Sequence, residues 1–269
     1  MVLQGGEEWP ADTLSQRLDS AYYALTSTTS RHFSKQGDGW FLTGVAGLDA
    51  PTMNRAVVEA SSTDEVLRLL TEAEAFFGER ECAWSVVLAG YRDTQRWHSE
   101  LIARGLSPTT SLDILVREPG PMVGKLGPVA DVRLAAPDET PVFTEVLMEV
   151  FRMPRRFYPA LLDMTDAWRQ AGAKLYLAEQ DGEVVGTTLM AIIDGVAGIY
   201  NVGTLRRARR SGLARAMMTR ALDDSKDADL VTLQVAPEGF VEGFYLDLGF
   251  IPRYSWRFYS PRPRGFFGR

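Results

Sequence analysis

Residues 196–218 read VAGIYNVGTLRRARRSGLARAMM, and the rest of the chain is organised around them. Val196, Ile199, Tyr200 and Val202 make an apolar, partly β-branched run that predicts a strand. Arg206, Arg207, Arg209 and Arg210 then crowd a turn that ends at Gly212. Leu213, Ala214, Ala216, Met217, Met218, Ala221 and Leu222 follow at helical spacing. A strand that feeds straight into a helix N-terminus makes an anion site, because the first N–H groups have no partner and the helix dipole adds positive charge. A residue without a side chain at 212 lets an anionic oxygen approach the backbone, and arginines add charge-assisted hydrogen bonds. No Gly-Lys-Ser/Thr follows, and no G-x-G-x-x-G occurs, so the commonest nucleotide motifs are excluded.

Composition narrows the ligand. The chain has 269 residues, with 45% hydrophobic and 24% charged side chains, ordinary proportions for a globular protein. A formal net charge of −6 argues against nucleic acid as a partner. Positive charge is instead concentrated between Arg206 and Arg215, which suits a small anionic ligand. Cys82 is the only cysteine, so no internal disulfide forms, and it reads as a small packed hydrophobe. His32 and His98 are far apart and form no metal-spacing pattern, so no metal is expected. No secretory leader and no run of about 20 apolar residues is evident, so the expected location is cytoplasmic, without a membrane partner.

Taken in order, Ala11 to about Phe33 predicts a helix through Leu14, Leu18, Tyr22 and Leu25. Strands are expected at 40–45 and 55–60. A helix capped by Ser62 or Thr63 buries Val66, Leu69, Leu70, Ala73, Phe76 and Phe77. A strand at 84–88, a helix at 92–104 with Trp97, Leu101 and Ile102 inward and stopped by Gly105, and a strand at 111–116 complete the first half. The Pro/Gly-rich run beginning Glu118-Pro119-Gly120-Pro121 is the clearest boundary. The expected division is 1–118, a linker 119–128, a second domain 129–260 and a tail 261–269. The second domain reads as strand 129–134, helix 137–151, an aromatic and basic break at 152–158, and a further helix to about 169. Strands at 174–179 and 183–193 and the central strand that begins at Val196 are joined by Asp181-Gly182 and Asp194-Gly195 hairpins. After the central helix come a strand at 229–235, a helix at 237–248 with Val241, Phe244, Tyr245 and Leu248 on one face, Gly249, and a strand at 250–259.

The order helix, strand, helix-Gly, strand occurs at 62–116 and again at 211–259. Leu101-Ile102-Ala103-Arg104-Gly105-Leu106 aligns with Tyr245-Leu246-Asp247-Leu248-Gly249-Phe250. Where the second copy has its Arg/Gly loop, the first has Ser61-Ser62-Thr63-Asp64. Where the second has Tyr245, the first has Leu101.

Arg209-Arg210-Ser211-Gly212-Leu213-Ala214 resembles the R/Q-x-x-G-x-G/A signature of the GNAT acyltransferase superfamily. Phe244-Tyr245-x-x-Leu248-Gly249-Phe250 resembles that family's Y-x-x-x-G-F helix end, and the element order from Val129 to Tyr259 is similar to a complete GNAT domain. The resemblance covers about half the chain and implies an α/β fold: two GNAT-like domains in tandem, each a mixed, mostly antiparallel sheet flanked by helices, the first copy degenerate. It implies acetyl-CoA as acyl donor and a small-molecule primary amine as acceptor, acting by direct transfer within a ternary complex. Val202, Gly203 and Thr204 match the strand whose backbone binds the pantetheine arm. Arg209, Arg210, Gly212, Leu213, Ala214 and Arg215 match the pyrophosphate loop. Glu238 occupies the place, seven residues before the tyrosine, where the family often has a cofactor-contacting Asn, and Val241 stands where it often has Ala. Tyr245 matches the acid that protonates the leaving thiolate. The base is sought among Glu149, Asp163, Asp166 and Asp194, with Glu149 favoured because it precedes the helix break. Phe151, Met153, Phe157 and Tyr158, interleaved with Arg152, Arg155 and Arg156, form the expected acceptor wall. The alternatives are a non-catalytic acyl-CoA-binding or regulatory module, and an acyl-CoA enzyme of another reaction such as O-acylation or decarboxylation. Monomer and homodimer both fit.

Overall fold

The hydroxyl run Thr26-Ser27-Thr28-Thr29-Ser30 decides where the first helix ends. In the structure, a computed structural model describing residues 11–58, 62–90, 97–121 and 131–261, α1 spans Ala11–Thr26. Thr26, Ser27 and Thr28 donate back to the carbonyls of Tyr23, Ala24 and Leu25, which competes with continued helix. The helix expected to reach Phe33 therefore stops early. His32–Gly37 is instead strand β1, which pairs antiparallel with β2 (Trp40–Val45).

The elements that follow are β3 (Arg55–Val58), α2 (Thr63–Gly78), β4 (Ser85–Ala89), α3 (Trp97–Ala103) and β5 (Leu106–Arg117). Next are β6 (Asp131–Leu134), α4 (Thr140–Phe151), α5 (Tyr158–Gln170), β7 (Lys174–Gln180), β8 (Glu183–Ile193) and β9 (Val196–Thr204). The chain ends with α6 (Leu213–Asp223), β10 (Leu230–Val235), α7 (Phe240–Asp247) and β11 (Ile251–Pro261). The fold is a mixed α/β one, as the residue pattern predicts. Two inward assignments change. Ile102 is exposed on α3, and Val241 is exposed because α7 starts at Phe240, not Pro237, and is only two turns long. The expected helix start at 92–96 and the linker beyond 121 lie outside the described residues.

Two compact units form, Met1–Ser30 with Ile114–Arg253, and Arg31–Asp113 with Tyr254–Arg269. They do not follow the consecutive boundaries read from the sequence. Packing gives the reason. Leu14, Leu18, Ala21 and Leu25 of α1 are buried, the indole Nε1 of Trp168 in α5 donates to the Leu25 carbonyl at 3.2 Å, and Arg17 binds the Asp194 carbonyl and the Asp229 carboxylate. α1 thus belongs with the C-terminal elements.

In the unit of 31–113, β2 pairs antiparallel with β3, β3 parallel with β4, and β4 antiparallel with the end of β11. Its core is aromatic, with Trp40, Phe77, Trp84 and Tyr259 around the buried face of α2. In the other unit, β6, β7, β8 and β9 pair antiparallel in sequence, β10 pairs parallel with β9, and the end of β5 lies beside β10, where the Thr232 hydroxyl donates to Leu115. Each unit is therefore closed by a strand end from the other half of the sequence.

One ion-pair cluster ties β6 to the start of α4. Arg133 donates to Glu139 at 2.7 Å and to Glu179 at 2.8 Å, and the Ala136 N–H also donates to Glu139 at 2.7 Å. These bonds hold the Glu139 carboxyl at about 2, below its ordinary 4.5. A depressed carboxyl stabilises the fold above its unfolded value and loses that contribution as pH falls through the folded one. Between about pH 4.5 and 2, wild-type thermal stability should fall more steeply than that of Glu139→Gln, as melting curves across that window would show.

Candidate functional site

β9 leaves β10 at one end and stays paired with β8 across a slip in register. Its parallel pairing with β10 covers only Val196, Ala197 and Gly198, opposite Leu230, Val231 and Thr232. From Ile199 to Thr204 on β9, and from Leu233 to Val235 on β10, the facing edges carry no ladder. On the other side the register with β8 slips: Thr187 faces Gly203 but Leu189 faces Tyr200, so Asn201 and Val202 together oppose Thr188. This is a β-bulge, and Asn201 takes the left-handed conformation at φ 56° that it requires. The Thr187 hydroxyl donates to the Asn201 carbonyl at 3.2 Å and fixes the turn of the backbone. A free strand edge of six residues, about 20 Å at 3.3 Å each, results. It offers N–H and C=O groups to an extended, amide-bearing ligand.

The same strand ends at the basic turn. Leu205, Ala208, Leu213 and Met217 pack together and anchor both sides of the loop. The Ser211 hydroxyl closes on the Ala208 carbonyl at 2.6 Å. Arg210 at φ 66° and Gly212 at φ 87° turn the chain into α6. The first helical bond runs from Ala216 N–H to Gly212 carbonyl, and no side chain caps the helix. The N–H groups of Leu213, Ala214 and Arg215 are thus left by the helix for an incoming anion. Arg209 and Arg210 are exposed beside them. Arg207 is held by Glu149 and Glu183.

On α7, Tyr245 is buried, its ring edge-on to both Phe244 and Phe250. It shares a core cluster with Leu233 and Val235 of β10, and Val202 of β9 packs against that cluster. The phenol therefore stands beside the diverging strands. Burial pushes its pKa up to about 12. Among the described residues nothing hydrogen-bonds its hydroxyl. The Arg215 guanidinium lies over the Phe244 ring at 5.9 Å, which links the start of α6 to α7.

Val202, Gly203 and Thr204 thus lie on the unladdered end of β9, which runs into the 209–215 loop, and Tyr245 belongs to the cluster against which Val202 packs. Gly203 has a second duty: a Cβ there would overlap Val150 at the end of α4. Glu238 is exposed at φ 52°, and its N–H donates to the Glu242 carboxylate at 2.6 Å. Glu149 is exposed on α4 and paired with Arg207, and no contact joins it to Tyr245. Asp166 pairs with Arg169. Asp194 sits in the β8–β9 hairpin, at the paired end of β9 and away from the divergence. Asn201 and Thr187 are the residues that sequence reasoning passed over; the signal was an Asn, tolerant of left-handed backbone, inside an apolar strand.

The other unit repeats the parallel pair but not the uncapped helix start. At the start of α2, Ser62 and Glu65 form a complete capping box, and Asp64 adds a second negative charge. The Ser62 hydroxyl takes the Glu65 amide and the Glu65 carboxylate takes the Ser62 amide, and the negative charge there repels an anion.

Comparison with known proteins agrees with this geometry. Residues 141–250 match the acetyltransferase (GNAT) family, and that span holds the diverging strands, the 209–215 loop and Tyr245. A GCN5-related N-acetyltransferase from Kribbella flavida is similar in structure, at 19% identity and a TM-score of 0.67, over 93% of this chain and 96% of its own. One from Sphaerobacter thermophilus gives 18% and 0.62, over 85% and 82%. A tandem GNAT protein from the clavulanic acid biosynthesis pathway gives 15% and 0.59, over 96% and 98%. These likenesses are of fold. No curated protein matches the chain significantly. No described helix is long and apolar enough to cross a membrane.

Proposed function

We propose that this chain, with its GNAT-family segment at 141–250, is an N-acyltransferase that moves an acetyl or short acyl group from acetyl-CoA to a small-molecule primary amine. The observation that carries the reading is the unpaired edge of β9 running into the uncapped start of α6. A ligand with two amides and a pyrophosphate fits that succession of donors and acceptors. Acetyl-CoA supplies an acyl group activated as a thioester.

The protein's part is orientation and proton supply. A backbone N–H of β9, around Val202 and Gly203, polarises the carbonyl oxygen and stabilises the charge that develops on it. The loop from Arg209 to Arg215 anchors the diphosphate and so fixes where the thioester comes to rest. Tyr245 hands a proton to the departing sulfur. The role of proton acceptor from the amine is not assigned to Glu149, whose carboxylate serves Arg207. The first half is read as a tandem copy that lost its phosphate cradle, with its capped α2 in place of an open helix start.

Calorimetric titration with acetyl-CoA tests the reading, followed by thiol release across a panel of primary amines. Micromolar binding and amine-dependent release of CoA are expected. No binding at millimolar ligand would overturn it. Binding without turnover on any amine would favour an acyl-CoA-binding module instead.

A further inference from the structure

Asn201 is placed in a left-handed conformation in the middle of β9, and the Nδ2 of its side chain is buried without a hydrogen-bond partner among the described residues. Both features are costly. An amide donor withdrawn from water and left unpaired costs about 1–3 kcal/mol. A left-handed residue other than glycine costs about 1–2 kcal/mol more, though least for Asn. The left-handed backbone serves the bulge, but the unpaired amide has no structural return. The bulge is held by the Asn201 carbonyl, which accepts from Thr187, and this bond uses the backbone, not the side chain. Glycine would satisfy the same φ without burying an amide.

The position is informative. Asn201 lies three residues past Gly198, the last residue paired with β10. Its neighbour Tyr200 packs against Tyr22 of α1, while its other neighbour Val202 packs against the cluster that contains Tyr245. A ligand anchored at the start of α6 and extended back along β9 meets Asn201 at its far end, about 10 Å beyond Thr204 at 3.3 Å per residue. That distal end of acetyl-CoA is the thioester, whose carbonyl oxygen accepts hydrogen bonds and forms none with a phenol that is donating to sulfur.

We infer that the Asn201 side-chain amide donates to the acyl carbonyl of the bound thioester, beside the backbone groups of β9, so that the cleft distinguishes an acylated from a free CoA. This rests on the acyltransferase reading. It requires no proton transfer at Asn201.

The test uses the full chain and two ligands, acetyl-CoA and free CoA, each titrated by calorimetry into wild type, Asn201→Gly and Asn201→Asp. Asn201→Gly should bind acetyl-CoA about 3- to 10-fold more weakly, as expected for one neutral hydrogen bond, while its affinity for free CoA stays within twofold. Asn201→Asp, which puts an acceptor where the donor stood, should lose at least as much for acetyl-CoA. The melting temperature of Asn201→Gly should not fall, because a glycine tolerates φ 56° and an unpaired donor has gone. Equal weakening toward both ligands would place the amide on the pantetheine arm and overturn the inference. Unchanged binding of both would also overturn it. If wild type binds neither ligand, the acyltransferase reading falls, and this inference falls with it.

Discussion

Gly212→Trp abolishes acetyl-CoA binding, with an expected loss of at least 100-fold in affinity, about 2.7 kcal/mol. Gly212 is the residue immediately before α6 and stands at φ 87°. A side chain there meets two objections. The left-handed backbone costs a non-glycine residue about 1–2 kcal/mol, which the fold can carry because Leu213 and Met217 remain buried on the far side of the loop. More important, the indole would lie over the free N–H groups of Leu213 to Arg215, where the diphosphate must approach the backbone. Coulomb attraction from Arg209 and Arg210 acts at longer range and is screened by salt, so it does not replace those direct bonds. Circular dichroism should confirm that the variant folds. Binding of acetyl-CoA to that folded variant with wild-type affinity would remove the anion site from the start of α6.

How much of this was visible in the residue order differs from element to element. The loop was legible because its two demands are chemical and local. A helix start that receives an anion needs a residue tolerant of positive φ, supplied by Gly212, and nearby cations, supplied by Arg209 and Arg210. The capping box of α2 was legible for the same reason, since Ser62 and Glu65 are three residues apart. The divergence of β9 and β10 was not. Both strands are largely apolar, and the bulge at Asn201 is held by the Thr187 hydroxyl across from it, a contact between different strands. The division into units was illegible for a related reason. α1 carries an ordinary apolar stripe that fits any sheet face, and only the Trp168 and Arg17 contacts show which one it covers. Glu149 shows a different limit. It precedes the helix break, and in the fold it is exposed and paired with an arginine 58 positions later, in the loop itself. Sequence proximity to a break says nothing about which charge a carboxylate will meet.

Tyr245→Phe separates chemistry from binding. If the phenol protonates the departing thiolate, its loss should lower kcat by about 10²- to 10⁴-fold, or about 2.7–5.4 kcal/mol of barrier, with the acetyl-CoA dissociation constant unchanged. Stability is not the confounder here. None of the described residues bonds the hydroxyl, and the ring keeps its contacts with Phe244 and Phe250, so the variant loses no partner in the core. The pH dependence gives the sharper reading. Burial raises the phenol to about 12, so the proton it must donate stays on throughout the range in which the protein is assayed. The rate should therefore climb as the amine deprotonates and then stay level to about pH 10, with no falling limb from Tyr245. A falling limb centred near 8 or 9 in the wild type, together with full activity in Tyr245→Phe, would assign the acid to another group. The linkage has the matching sign: a phenol raised from 10 to about 12 in the fold contributes fully below pH 10 and loses its contribution as pH rises through 12. Burial also raises Tyr176, Tyr200 and Tyr259, so both proteins should lose thermal stability over that interval, and wild type should lose more than Tyr245→Phe, which ties the burial that keeps the proton in place to a measurement independent of turnover.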